Sequence, residues 1–171
     1  DDGSTNMALN TGLTSSLGNA SGMATGTNGK TSITYRGKEN PFGNIWKWSD
    51  GLNYNGTTKH AYWADHGFVD DTDASPYNDC GFALAGKEGY ISAFGWSEDC
   101  DFAFLPTETA GDSYKPVGDY HWHNTGWCVA RLGGNWNFGL FCGLCCWLLA
   151  DAASDRRRYV GSRLVYIPTA A

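Results

Sequence analysis

The sequence is short of charged residues and of the straight-chain residues that favour helices. Only 18% of its 171 residues are charged, whereas it contains 23 glycines, 8 tryptophans, 9 tyrosines and 8 phenylalanines. Many glycines and aromatic residues beside few Lys, Glu and Gln residues are typical of a loop-rich fold with short strands. At this length the chain fits one domain with a hydrophobic core of its own.

The sequence also lacks an excess of positive charge and any long apolar run. Its formal net charge is −6, and its one basic cluster, at residues 156–158, is short, which argues against a nucleic-acid partner. A membrane helix needs roughly 20 consecutive apolar residues, whereas the apolar run over 138–150 is interrupted by Gly139 and Gly143. We therefore expect no nucleic-acid partner and no insertion into a membrane.

The six cysteines do not have the spacing of a disulfide framework or of a zinc site. Three of them, Cys142, Cys145 and Cys146, lie within five residues, whereas disulfide-rich domains spread their cysteines over separate loops. The Cys142-x-x-Cys145 pair resembles half of a metal or redox site, but no second pair and no CxxxH follows it. We expect no metal and no cofactor, and the sequence leaves open whether Cys80 and Cys100 form a disulfide.

Two polar clusters could hold a metal ion but have simpler interpretations. Residues 65–79 contain five aspartates, but a calcium loop of the EF-hand type would also need its glycine and its terminal glutamate, so we predict a solvated loop. His121 and His123 would share one face of a strand over 119–124. Because no third ligand is evident, we predict structural or surface histidines.

The chain divides into an N-terminal segment, residues 1–30, and a domain over residues 31–171. The segment is rich in Gly, Ser, Thr and Asn, as linkers are, but its spaced apolar residues predict partial order, packing on the domain and a short helix over 7–18. In the domain, Asp50-Gly51 and Asn55-Gly56 are turn dipeptides that predict a hairpin within 44–64. Residue patterns predict further strands over 31–35, 89–96, 101–105 (ended by Pro106), 119–124 and 163–167.

Residues 131–168 form the least ordinary stretch. The ends, Arg131-Leu-Gly-Gly-Asn-Trp136 and Gly161-Ser-Arg-Leu-Val-Tyr-Ile167, are well defined, whereas the middle is apolar, then charged, and follows neither a helical nor a strand period. These two ends resemble the closing part of the formylglycine-generating-enzyme branch of the C-type lectin fold. More closely, residues 131–168, together with Arg36-Gly-Lys-Glu-Asn-Pro-Phe-Gly-Asn-Ile-Trp-Lys-Trp48, resemble the variable proteins of diversity-generating retroelements in phages and bacteria.

This resemblance implies an α+β fold: a loop-rich, C-type lectin-like domain with short antiparallel strands and one or two short helices. It also implies a variable region at about residues 137–160. In such regions template adenines are miscopied, so that Asn codons become codons for Phe, Leu, Cys, Asp, Arg and others, but not for Lys, Glu, Gln, Met or Trp. Residues 137–160 contain none of those five except Trp147, which would be a fixed position. Cys142 and Cys146 would be accidents of the process.

Positions that vary so widely cannot be buried, so their side chains must project from a fixed framework. Exposed apolar residues beside arginines have the composition of a protein-binding hot spot. The alternative is that 138–149 belongs to the core, with at least Leu144, Trp147 and Leu149 pointing inward. The resemblance implies variable, ligand-binding residues at Phe138, Leu140, Phe141, Cys142, Cys146, Leu148, Ala150, Asp151, Ala153, Asp155, Arg156, Arg158 and Tyr159. It implies a scaffold of Arg131, Gly133, Gly134, Trp136, Trp147, Gly161 and Arg163.

The function that the resemblance implies is ligand binding, without catalysis. The protein would display a diversified surface to an unknown protein or glycan receptor, at a phage tail tip or on a bacterial cell surface, where homotrimers are common. One alternative is a formylglycine-generating-enzyme-like oxidase, which needs a reactive cysteine pair with copper, but here the close cysteines fall inside the variable region. Another is a calcium-dependent sugar-binding lectin, whose Glu-Pro-Asn motif Glu39-Asn-Pro41 does not match in order.

Overall fold

The computed structural model describes residues 8–162. Regular structure in this range is almost entirely β, with two single-turn 3₁₀ helices. The 3₁₀ helices are η1 Ser15–Leu17 and η2 Gly139–Phe141, and the strands are β1 Gly22–Thr25, β2 Thr31–Tyr35, β3 Lys38–Glu39, β4 Trp46–Asn55, β5 His60–Trp63, β6 Asn78–Ala83, β7 Gly89–Tyr90, β8 Ala93–Phe94, β9 Pro106–Glu108, β10 Tyr120–His123, β11 Trp127–Leu132, β12 Trp147–Leu149 and β13 Val160–Gly161.

The expectation of an α+β, C-type lectin-like fold is wrong. Strands make up 34% of the structure and helices 4%, no helix has seven or more residues, and the main sheet curls into a half-barrel. The helix predicted over 7–18 is reduced to η1, because Gly12 and Gly18 adopt positive φ angles of 84° and 53°, which a right-handed helix cannot include. Among residues 8–162 no helix is long and apolar enough to cross a lipid bilayer.

The main sheet runs in the order β6-β5-β4-β11-β12-β10-β7, and β13 pairs with the start of β4. Its neighbouring strands are antiparallel, except for the parallel pairs β10–β12 and β13–β4. The hairpin predicted within 44–64 is confirmed as β4 and β5, which pair from Leu52↔Trp63 to Asn55↔His60. The side chain of Asn55 begins the turn by accepting a hydrogen bond of 3.0 Å from the backbone N–H of Thr57, as Asn does in Asx turns.

Both faces of this sheet are covered, and each carries a hydrophobic cluster. The first cluster consists of Leu52, Tyr54, Ala61, Cys80, Leu84, Cys100, Leu105, Cys128, Ala130, Trp147 and Leu149. The second consists of Trp46, Cys146 and Leu148. Since successive residues of a strand point to opposite faces, β12 contributes Trp147 and Leu149 to one cluster and Leu148 to the other. This strand is therefore buried on both sides.

The other strand predictions had mixed outcomes. The strands predicted over 31–35 and 119–124 are confirmed as β2 and β10, whereas the one predicted over 89–96 is divided into β7 and β8. The strand predicted over 101–105 is wrong, because these residues are irregular and Pro106 begins β9 instead of ending a strand. Proline is tolerated as the first residue of a strand, where its missing N–H is not needed for pairing.

Side-chain hydrogen bonds attach the N-terminal segment to the domain. The amide of Asn44 bonds to both backbone groups of Leu9, at 2.9 and 3.4 Å. The carboxylate of Glu39 accepts hydrogen bonds from the backbone N–H groups of Gly12 and Thr14, at 2.7 and 2.8 Å. Farther along, β1 pairs with β2, and β2 with β3, in a separate three-stranded sheet. The boundary predicted at residue 30 therefore lies in the turn of the β1–β2 hairpin.

Candidate ligand-binding groove

The turn after β11 fixes the beginning of segment 137–160. The backbone N–H of Gly133 donates a hydrogen bond of 2.9 Å to the carbonyl of Cys146, at the far end of the adjoining loop. Gly134 has a φ of +73°, and a Cβ at this position would lie 2.2 Å from the sulfur of Cys142, so that only glycine fits. Trp136 follows and is buried. These three predicted scaffold residues thus lie together where the segment leaves the sheet.

Part of the segment faces solvent. Leu140 and Phe141, on the single turn η2, are 78% and 37% exposed. Arg156 and Arg158 are exposed as well. Leu144, for which the alternative was an inward position, is 61% exposed. These five side chains are accessible to a ligand, and two of them also contact aromatic rings of the domain: Phe141 packs on Tyr90 and Tyr120, and Arg158 lies over Trp136.

Other residues that were expected to project outward belong to the core, so the expectation is wrong for them. Cys146 is fully buried and Leu148 is 8% exposed, both in the second cluster around Trp46. Three further side chains pack against this cluster and are half-buried: Phe138, Ala150 and Tyr159. The physical reason is that the sheet is covered on both faces, so the side chain of Leu148 meets protein where a one-sided sheet would leave solvent.

The two acidic residues of the segment bind a buried arginine. The guanidinium of Arg131 is paired with Asp151 and with Asp155, each at 2.7 Å, and lies 4.1 Å from the centre of the Trp48 ring. Hydrogen bonds from Arg131 and then from Arg157 lower the pKa of Asp155. Contrary to expectation, Asp151 and Asp155 are therefore framework residues that attach the segment to β11, because a position that balances a buried charge cannot vary freely.

The remaining predicted residues lie in separate places. Cys142 is half-buried, and its thiol donates a hydrogen bond of 3.2 Å to the carbonyl of Asn135. Ala153 is half-buried, and Gly161 lies in β13 beside β4. Arg163, with the strand predicted to begin there, lies outside the described residues. The predicted set is thus not one continuous surface.

A carboxylate that sequence reasoning missed positions the loop before β12. Asp119 is 7% exposed and accepts a hydrogen bond of 2.6 Å from the backbone N–H of Cys145. A Cβ at Gly143 would lie 1.8 Å from Oδ1 of Asp119, so this close approach requires glycine. Burial raises the pKa of Asp119. The loop is held on both sides of Leu144, and this holds the leucine at the surface.

Leu144 borders an open cavity of about 290 Å³ beside the first cluster. The sheet contributes two tryptophans, of which Trp147 donates a hydrogen bond of 2.7 Å from its indole N–H to the carbonyl of Phe104. Trp63 meets Phe102 edge to face, with ring centroids 5.2 Å apart. Phe102 and Phe104 are nevertheless 58% and 64% exposed. We call this site the groove and define it by Asp50, Trp63, Phe102, Phe104, Leu144 and Trp147.

The groove combines segments that are distant in the sequence, and sequence reasoning found only part of it. Trp147 was predicted as scaffold, and Leu144 lay in the predicted variable region. Phe102 and Phe104 were taken for strand residues, although their alternation also indicates two side chains on the same side of an extended segment. Asp50 was recognised only as part of a turn. What the structure adds is their convergence on one cavity.

The two histidines share one face of β10, as predicted, with ring centroids 6.5 Å apart. His121 is fully buried, and its Nε2–H donates a hydrogen bond of 3.1 Å to the carbonyl of Ala85. Burial lowers the pKa of His121 to about 4, so that the ring is neutral at pH 7. Within residues 8–162, no three or more His, Cys, Asp or Glu side chains are grouped so that they could hold a metal ion.

Comparisons with known proteins do not assign a family. No protein-family model matches the chain, and no curated protein matches it. The resemblance to the variable proteins of diversity-generating retroelements therefore rests on the sequence motifs alone and stays a prediction.

Proposed function

We propose that this protein binds a ligand through the groove and has no catalytic role. The observation that carries the proposal is the exposure of three large apolar side chains, Phe102, Phe104 and Leu144, around a single cavity. Burying apolar surface is favourable by roughly 25 cal/mol per Å², and apolar side chains clustered around a concave site mark binding surfaces. A ligand that covers these side chains would gain this free energy.

The proposal includes diversification of segment 137–160, restricted to its exposed positions. Leu140 and Leu144 can change without disturbing the core, because substitutions at exposed sites have small effects on stability, whereas the ring of Phe141 packs against Tyr90, Tyr120 and Trp122. Cys146 and Leu148 must stay apolar. The test is a search beside the gene for a reverse transcriptase and for a near-copy of this coding region. Differences at template adenines should fall in codons for exposed residues, and the lack of any such copy would contradict diversification.

We further propose that the protein acts at a phage tail tip or on a bacterial cell surface and meets a protein or glycan receptor there, in a homotrimer if it assembles as the resemblance implies. The net charge of −6 supports a partner other than nucleic acid.

The cysteines of this chain argue against an oxidase of the formylglycine-generating type. Burial raises the pKa of Cys142 to about 11 and also raises that of Cys145, whereas a reactive pair needs thiolates.

Two leucines of the same segment provide a matched test. Leu144 borders the groove and Leu140 does not, yet both are largely exposed, so that neither change should unfold the protein. The labelled protein and the variants Leu144→Ser and Leu140→Ser would be applied to arrays of random peptides and of glycans. We expect bound probes that Leu144→Ser loses and Leu140→Ser retains. If every probe bound by the wild type is retained by Leu144→Ser, the groove is not the binding site.

A further inference from the structure

The groove has negative charge and no positive charge along its lining. Asp50 is the one charged residue that lines it, and no Lys, Arg or His side chain does so. The residues that follow Ala64 and precede Phe102 along the chain are also exposed acids, Asp65 and Asp101. Because complementary charge favours one class of ligand over another, this groove favours a cation over a neutral or an acidic group.

The carboxylate of Asp50 is available to such a cation. Asp50 is exposed, and within residues 8–162 its side chain has neither a hydrogen-bond nor an ion-pair partner. By contrast, Asp119, Asp151 and Asp155 are each held by a backbone N–H or an arginine. A charged oxygen at the edge of an apolar site, with no structural role in this part of the chain, fits a role in contacting a ligand.

The aromatic side chains of the groove add a second attraction for a cation. Four of its six defining residues are aromatic: Trp63, Phe102 and Phe104 are accessible to solvent, whereas Trp147 is 6% exposed. The face of an aromatic ring attracts an ammonium or guanidinium group within about 6 Å, most strongly when the ring is tryptophan. The alkyl part of a Lys or Arg side chain can at the same time lie on rings and on Leu144, while its charged end reaches a carboxylate. A cavity of about 290 Å³ has room for such a side chain.

We infer that the groove binds a Lys or Arg side chain, flanked by apolar residues, from a segment of a partner protein. This inference rests on the proposed function, since it names the class of ligand for the same groove. A basic side chain uses all three features of the site: the aromatic rings, the exposed Leu144 and the carboxylate of Asp50. A neutral glycan would stack on the rings and donate hydroxyl hydrogen bonds to Asp50, but it would leave the negative charge of this carboxylate uncompensated.

The test begins with a random peptide library displayed on phage. Peptides would be selected on the immobilised wild-type protein after counter-selection on Leu144→Ser, which removes the apolar contact without adding charge. We expect the selected peptides to be enriched in Lys or Arg next to apolar residues. For one synthetic peptide, replacing the basic residue by norleucine should weaken binding about tenfold, which is the size of a cation–π contact with an added ion pair at a partly exposed site.

Two variants of the protein identify the carboxylate involved. Asp50→Asn keeps the shape of the side chain and removes the ion pair but not the cation–π contact. It should therefore weaken binding of the basic peptide by a smaller factor, about threefold, and should not change binding of the norleucine peptide. Asp73→Asn removes an exposed carboxylate that does not line the groove. This control should change the binding of neither the basic peptide nor the norleucine peptide. Near-ultraviolet circular dichroism of Asp50→Asn, unchanged from the wild type, shows that the fold is intact.

The inference and the proposed function fail in different ways. Selected peptides without enrichment in Lys or Arg, or equal binding of the basic peptide by wild type and Asp50→Asn, overturn the inference while the groove remains a binding site. Glycans that depend on Leu144, in the absence of any such peptide, overturn it in favour of a sugar ligand. If no peptide and no glycan distinguishes the wild type from Leu144→Ser, the proposed function itself is wrong.

Discussion

The guanidinium of Arg131 and the carboxylate of Asp155 form an ion pair of 2.7 Å in which the arginine is almost completely removed from solvent. A second pair of the same length joins Arg131 to Asp151. Arg131 belongs to β11, in the middle of the main sheet, whereas both aspartates follow β12. The two pairs therefore connect the loop after β12 to the centre of the fold.

Removing both carboxylates should destabilise the protein strongly. In the double variant Asp151→Asn/Asp155→Asn the buried guanidinium loses its counter-charges, and breaking a buried ion pair on one side typically costs about 3–5 kcal/mol. Urea denaturation measures the change in the free energy of unfolding. Arg156→Gln, which alters an exposed arginine next to Asp155, serves as the control and should change stability by less than about 0.5 kcal/mol. If the double variant and the control both change the free energy of unfolding by the same small amount, the burial of Arg131 does not depend on these carboxylates.

Two leucines test which part of segment 137–160 is core. Leu148→Ala empties a site that is 8% exposed and should cost about 3 kcal/mol, as truncations of buried leucines do. Leu140→Ala, at a position that is 78% exposed, should cost less than about 0.5 kcal/mol. The melting temperatures of the two variants make the comparison. If Leu148→Ala has the same melting temperature as the wild type, β12 is not packed on both faces.

How far the sequence predicts this structure depends on the range of the interactions involved. The β4–β5 hairpin and β2 are specified locally, by the Asn55-Gly56 turn and by alternation, and were predicted, whereas the predicted turn dipeptide Asp50-Gly51 lies inside β4. The burial of Leu148 was not predicted, and that of Trp147 and Leu149 was predicted only by the alternative interpretation, because a strand covered on both faces shows no alternation and cannot be distinguished from an irregular apolar run.

The helix expected near the N-terminus was wrong as well. Spaced leucines favoured a helix, but Gly12 and Gly18 have positive φ angles, which a right-handed helix cannot include. The residues that meet in the candidate site are even farther apart in the sequence. Asp151 and Asp155 meet an arginine 20 and 24 residues away, and the groove combines residues from β4, β5, the segment before β9 and the loop before β12. A sequence identifies such residues as unusual, but only the fold shows which of them meet.

Stability should fall in mild acid because of His121. Burial lowers its pKa from the ordinary 6.5 to about 4, so between these values the unfolded chain takes up a proton that the folded protein excludes. The contribution of the neutral His121 ring to the free energy of unfolding is fully present above about pH 6.5 and is lost as the pH falls to about 4. The loss is about 3 kcal/mol in total, since each pH unit between the two pKa values is worth about 1.4 kcal/mol. Urea denaturation at pH 7 and at pH 4 measures this loss.

The variant His121→Gln separates this effect from other acid-sensitive groups. Glutamine does not titrate and keeps an N–H that can donate to the carbonyl of Ala85. We therefore expect the variant to lose about 3 kcal/mol less than the wild type between pH 7 and pH 4. Parallel losses in the two proteins would mean that His121 takes up its proton as readily in the folded state as in the unfolded chain.

The reactivity of the thiols distinguishes a binding protein from an oxidase. Burial raises the pKa of Cys142 from 9.0 to about 11, which leaves roughly a hundredfold less thiolate at neutral pH than an ordinary cysteine has. Cys80, Cys100 and Cys146 are fully buried, with raised pKa values of the same cause. We therefore expect iodoacetamide at pH 8 to modify Cys142 and Cys145 slowly. The four buried cysteines, which include Cys128, should react only after unfolding, as followed by mass spectrometry of tryptic peptides. A reactive pair of the formylglycine-generating kind needs a thiolate, so alkylation of Cys142 or Cys145 faster than that of free cysteine would favour the enzyme over the binding protein.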